Sequence, residues 1–84
     1  MILVSYDITE PRRLRRVAKV LKRYGLRVQK SVFECEIDDR LYRELRSKLE
    51  RVIKDNDSIL CYRFTPSIQK EEFGKKHNEF TAVP

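Results

Sequence analysis

The side chain with the most chemical promise in this chain is Asp7. It ends a short apolar run, Met1-Ile2-Leu3-Val4-Ser5-Tyr6-Asp7, and the chain turns immediately afterwards into Thr9-Glu10-Pro11. A carboxylate at the rigid end of a strand, next to a basic segment, suits metal-assisted work on a phosphate. It also suits capping of backbone donors in the following loop, and residue type alone favours that structural role.

The basic residues give the second chemical signal. The chain carries 19 Lys+Arg against 13 Asp+Glu, a net charge of +6. Nine of those bases, and no acid, lie between Pro11 and Phe33. A localised basic stripe marks a polyanion partner, although charge runs are more often solvated helix faces. Such faces usually mix both signs, and this one does not. The chain's one histidine, His77, lies in a polar C-terminal stretch and makes a poor general base.

The elements that must position these residues follow from pattern. Eighty-four residues make one small domain, for which a second copy would add core. We divide the chain into a domain over 1–73 and a tail or dimer-docking arm over 74–84. No segment approaches the roughly 18 apolar residues of a membrane span, and the N-terminus lacks a basic leader region. The cytoplasm is the expected compartment. Cys35 and Cys61 lie in apolar strand-like runs, and with a single histidine they make no zinc site. Both are expected to be reduced core residues.

Ile2 to Asp7 reads as a central strand buried on both faces. Thr9 is the expected cap of a first helix running from Pro11 to about Tyr24. Leu14, Val17, Ala18, Leu21 and Tyr24 form its apolar stripe. Arg12, Arg15, Arg16, Lys19, Lys22 and Arg23 fall on the opposite side, as candidate nucleic-acid contacts. Gly25 is the expected left-handed C-terminal cap.

Strands are expected over 26–29 and 32–37, with a tight turn at Lys30-Ser31, or as one bulged strand. Asp38-Asp39 should cap a second helix to about Ile53, whose outer face mixes both charge signs. Ser58 to Phe64 is a fourth strand, and Ser67 to Phe73 a possible fifth. The order β-α-β-β-α-β is the ferredoxin-like plan, an α+β fold with one antiparallel sheet. Strand one then lies between strands three and four. The two cysteines sit two strands apart, about 9.5 Å, too far for a disulfide.

The run Val4-Ser5-Tyr6-Asp7-Ile8-Thr9 is similar to the first-strand motif of the small CRISPR-associated endoribonuclease family. The likeness continues through Arg16-Val17, Tyr24-Gly25 and Arg27-Val28-Gln29-Lys30-Ser31-Val32-Phe33-Glu34. The last stretch is far more specific than a strand-end Asp. The resemblance implies a symmetric homodimer in which the last strand crosses to the partner's sheet. It implies magnesium-dependent phosphodiester cleavage, with the metal-binding aspartate at Asp7 and supporting positions at Tyr6, Arg16, Arg27, Ser31 and Phe33. One Mg2+ shared between two Asp7 residues would answer the scarcity of ligands. It also implies spacer acquisition with the CRISPR spacer integrase, and an alternative role as a non-catalytic adapter that holds the DNA to be inserted.

Each position has a plainer role. Tyr6 points away from Asp7 along the strand and suits packing. Arg16 and Arg27 could grip phosphates bidentately or merely belong to the stripe. Ser31 could donate to a phosphate or make the turn, and Phe33 shares a face with Cys35 and Ile37, which suits core packing. An RNA-recognition module on the same fold fits poorly, because Glu34 and Glu36 occupy the strand where bases should stack.

Overall fold

The computed structural model describes residues 1–64. The possible fifth strand over 67–73, the tail over 74–84 and His77 lie outside the described residues. The elements are β1 (Ile2–Asp7), α1 (Pro11–Leu21), β2 (Leu26–Gln29), β3 (Val32–Cys35), α2 (Asp39–Glu50) and β4 (Ser58–Arg63). The four strands form one sheet in the order β2-β3-β1-β4, every neighbouring pair antiparallel. Two helices and this sheet make the expected ferredoxin-like α+β fold. Among the described residues no helix is long and apolar enough to cross a membrane.

The core lies between the sheet and the helices. Ile2, Val4 and Tyr6 of β1 meet Phe33 and Cys35 of β3, and Val17, Leu21, Leu45 and Leu49 close over them. Burying each large side chain of this kind is worth about 1.5–3 kcal/mol. The other face carries Leu3, Ser5 and Asp7, and residue burial along β1 alternates accordingly. This corrects the expectation that β1 is covered on both sides. Its position is central, but the described residues cover one face of it.

The cap of α1 is Glu10, not Thr9. Glu10 is extended, at φ −79° and ψ 120°, and its carboxylate accepts from the Arg13 N–H at 2.8 Å. Pro11 follows it in the first turn, where no amide donor is needed. The helix ends at Leu21, and residues 22–24 continue as a turn. Leu14, placed in the apolar stripe, is 36% exposed.

Gly25 does not take the left-handed conformation. Its constraint is space. A Cβ there would meet the Glu34 carbonyl oxygen, and would lie 2.6 Å from Cys35 Sγ and 2.9 Å from its Cα. Only glycine lets the helix exit pass this close to β3.

The 30–31 turn and a bulge both occur, because the β2–β3 register shifts between Arg27 and Gln29. The bulge reconciles a tight turn that lacks glycine with the strand twist. β3 stops at Cys35, two residues short of the expected end, and α2 stops at Glu50, short of Ile53. Asp38 caps α2 as expected, accepting from Leu41 N–H at 2.8 Å.

Both cysteines are free. Cys35 is buried, and burial pushes its thiol up to about 11. Cys61 is exposed, which overturns its placement in the core. It lies on β4, the outermost strand on that side of the described sheet, and lines an open groove between β4 and α2.

Candidate nucleic-acid interface and the Asp7 position

Asp7 is exposed at the C-terminal end of β1, opposite Ser58 of β4. No hydrogen bond or ion pair with a described residue reaches its carboxylate. The capping role that residue type favoured is therefore filled by Glu10. Glu10 also sits below the usual carboxylate range, chiefly through the Arg13 N–H it accepts.

The family-implied positions divide between the two faces of the sheet. Tyr6 and Phe33 are buried on the helix side, 4% and 1% exposed, with ring centroids 6.3 Å apart. The Arg27 guanidinium carbon lies 5.3 Å above the Phe33 ring, an attractive cation–π geometry. These three build a stack behind β1, on the opposite face from Asp7. Ser31 lies nearer to Asp7. It forms the β2–β3 turn, and its carbonyl accepts from the Tyr6 N–H at 3.0 Å, one residue before Asp7. Arg16 is exposed on α1. The fold thus brings Ser31 and the end of β1 together, and keeps Tyr6, Phe33 and Arg27 as support beneath.

All six residues of the basic stripe are exposed: Arg12, Arg15, Arg16, Lys19, Lys22 and Arg23. None pairs with an acid among the described residues. The outer face of α2 behaves differently, with Arg46 paired to Glu50 at 3.2 Å and Lys48 to Glu44 at 3.9 Å. The α1 face keeps its charge available to an outside polyanion, whereas α2 neutralises much of its own.

Arg13 is the exception on α1. Its Nε and Nη2 donate to the two Asp57 carboxylate oxygens at 2.7 and 3.2 Å. Asp57 also accepts from the Lys54 N–H at 2.8 Å, and its side chain is fully covered. The Arg13 guanidinium, then the Lys54 amide, hold the Asp57 carboxyl below its usual range. The sequence reading missed this clasp. Its one legible trace is the angular position of Arg13, which borders the apolar side of α1 rather than the outer one. Its partner, 44 residues away, looked like an ordinary turn acid.

Among the described residues no group of three or more metal-capable side chains exists. At the end of β1 the described residues therefore offer no cage, only the Asp7 carboxylate. Magnesium accepts such a site, since it often takes one or two carboxylates and completes its shell with water and phosphate oxygens. A groove of about 310 Å³ between α2 and β4 includes Tyr42, Leu49 and Ile59, but neither Asp7 nor any residue of the α1 stripe.

Known proteins share this fold. The family model described as CRISPR associated protein Cas2 matches residues 1–72. A CRISPR-associated endoribonuclease Cas2 1 from Chloroflexus aurantiacus is 45% identical over 71 residues, 82% of this chain and 76% of that protein. A CRISPR-associated endonuclease Cas2 2 from Thermus thermophilus is 48% identical over 60 residues, 70% of this chain and 67% of its own length. The crystal structure of Streptococcus pyogenes Cas2 at pH 6.5 superposes with a TM-score of 0.75 at 36% identity, covering 87% of this chain and 98% of that one. With a family match over nearly the whole length and a shared fold, the chain belongs to the CRISPR associated protein Cas2 family.

Proposed function

We propose that this chain is a magnesium-dependent endonuclease, acting as a homodimer on RNA or DNA during CRISPR spacer acquisition in the cytoplasm. One observation carries the reading. Asp7 belongs to the same open sheet face as three uncovered apolar side chains, Leu26 (75% exposed), Leu60 (53%) and Tyr62 (49%). A second copy stacked on that face by two-fold symmetry covers the apolar residues and draws two Asp7 carboxylates towards one axis. The pair offers one ion the two carboxylates that a single chain lacks.

When bound, magnesium supplies an activated water and offsets charge on the phosphate. The chain's own residues do the rest. Arg12, Arg15, Arg16, Lys19, Lys22 and Arg23 attract and hold backbone phosphates without regard to sequence. The Ser31 hydroxyl donates to a phosphate oxygen near the end of β1. Arg27, Phe33 and Tyr6 fix the strand on which Asp7 rides.

The stripe also supports a second reading. An unpaired cationic face along a whole helix can hold DNA without cutting it, as an adapter beside the spacer integrase would. Cleavage assays on single- and double-stranded RNA and DNA, with and without magnesium, separate the two. The nuclease reading expects metal-dependent products from wild type and none from Asp7→Asn, with binding and melting temperature unchanged. No cleavage by wild type under any divalent metal favours the adapter, and an unfolded Asp7→Asn restores a structural role for the carboxylate.

A further inference from the structure

Asp7 has no side-chain partner among the described residues, so the backbone around it must set its position. That backbone is confined from two sides. Only Ile8, Thr9 and Glu10 separate Asp7 from α1, and Ile8 is buried. On the other side, β4 begins at Ser58, directly opposite Asp7. The residue before Ser58 is Asp57, and Asp57 is clasped by Arg13 from the first turn of α1. The two segments flanking Asp7 are thus joined by a two-point ion pair on a fully covered carboxylate. A third bond, from Lys54 N–H, ties the same carboxylate to its own turn.

A bidentate guanidinium–carboxylate pair fixes direction as well as distance. Glu10 restrains Arg13 further, since it accepts from the Arg13 N–H at 2.8 Å and lies 3.9 Å from its guanidinium. The clasp therefore holds the α1 entry and the β4 start rigid relative to each other, with the end of β1 between them.

We propose that Arg13 and Asp57 are positioning residues for the Asp7 site. The clasp holds the Asp7 backbone at the depth and angle from which its carboxylate reaches a divalent cation. It also keeps the α1 stripe in register with that carboxylate, so one nucleic-acid strand meets both. Arg13 performs this role instead of binding phosphate, because Asp57 occupies the Nε–Nη2 edge of its guanidinium and the Glu10 carboxylate lies 3.9 Å from Nη1. The inference rests on the cleavage reading above and adds two residues to it.

The test uses the full chain with Arg13→Lys, which keeps the charge but loses the fork, and Asp57→Asn. Mn2+ is titrated against each protein, and broadening of the Asp7 and Ile8 amide signals is followed by NMR, independently of cleavage. Supporting partners of a metal ligand typically change affinity or activity by about 10–100-fold. We expect the Mn2+ half-saturation point to rise within that range and kcat to fall with it. KM for an oligonucleotide should stay near wild type, because the stripe is intact, and Arg13→Lys should show smaller losses than Asp57→Asn. A clasp with only a structural role would lower the melting temperature and leave the half-saturation point and kcat of the folded protein unchanged, and that result overturns the proposal. Should Asp57→Asn fail to fold, Arg13→Lys alone decides by the same readouts. If wild type shows neither broadening at Asp7 nor cleavage, the cleavage reading falls and this one with it. If wild type shows both and the variants match it, only the positioning role falls.

Discussion

Replacing Arg15, Lys19 and Lys22 with Glu tests the α1 face most directly. The three residues are exposed, and none is ion-paired among the described residues, so their replacement disturbs no described ion pair. They sit at i, i+4 and i+7 of a helix that rises 1.5 Å per residue, a span of about 10 Å. Over that distance one strand of duplex DNA presents about three phosphates, at 3.4 Å each. Removing about three phosphate-binding cations per protomer should therefore flatten the slope of log K against log salt by about 2.7. Between 50 and 200 mM salt, wild type should lose about 40-fold more affinity than the variant. Fluorescence anisotropy on a duplex, repeated across that salt range, measures the slope. A control variant makes the same change on and just after α2, at exposed Arg40, Arg43 and Arg51. The control should keep the wild-type slope. An unchanged slope for the α1 variant, or an equal drop for the α2 control, would refute the assignment of the binding face to α1.

Three further expectations concern the scaffold. Light scattering should give about twice the 10.1 kDa chain mass for wild type and one chain mass for Leu60→Asp/Tyr62→Asp, and a 10.1 kDa wild type would remove the two-fold site. Gly25→Ala forces a Cβ against β3, and overpacking of this kind costs about 1–3 kcal/mol, so urea melts should show a lower midpoint at an unchanged m-value. A midpoint equal to wild type would mean that β3 yields freely there. The Asp57 carboxyl is lowered in the folded state, so its clasp stabilises the protein at pH values above the unfolded value of 3.8 and stops doing so as pH falls through the folded value. The stability difference between wild type and Asp57→Asn should accordingly be constant from neutral pH to about pH 5 and close below 3.8, and a gap that persists at lower pH would contradict the ion pair.

Much of the molecule was legible in the order of residues because it depends on short-range physics. Val17, Ala18 and Leu21 recur at helical spacing, which marks α1 and its exposed cationic side. Asp38 caps α2 within a few residues of itself. The Arg27 to Glu34 stretch carries the family motif and the turn it encloses. Those local signals determine the element order, and the order implies the sheet. They also place Asp7 at a strand end. Other features depended on partners distant in sequence. Thr9 is the cap expected from sequence, yet the fold places Glu10 there, in extended backbone and accepting from the Arg13 N–H. Gly25 looked like a left-handed cap, yet what requires glycine is β3 passing beside it, at Glu34 and Cys35. Cys61 has an apolar neighbourhood in sequence but lies exposed on β4, lining an open groove between that strand and α2. The position of Asp7 at a strand end opposite Ser58 and the clasp of Arg13 with Asp57 arise together, from strand pairing and helix docking across 44 residues. Periodicity and caps act over one turn or one strand, whereas register and ion pairing between elements exist only once the chain has closed on itself.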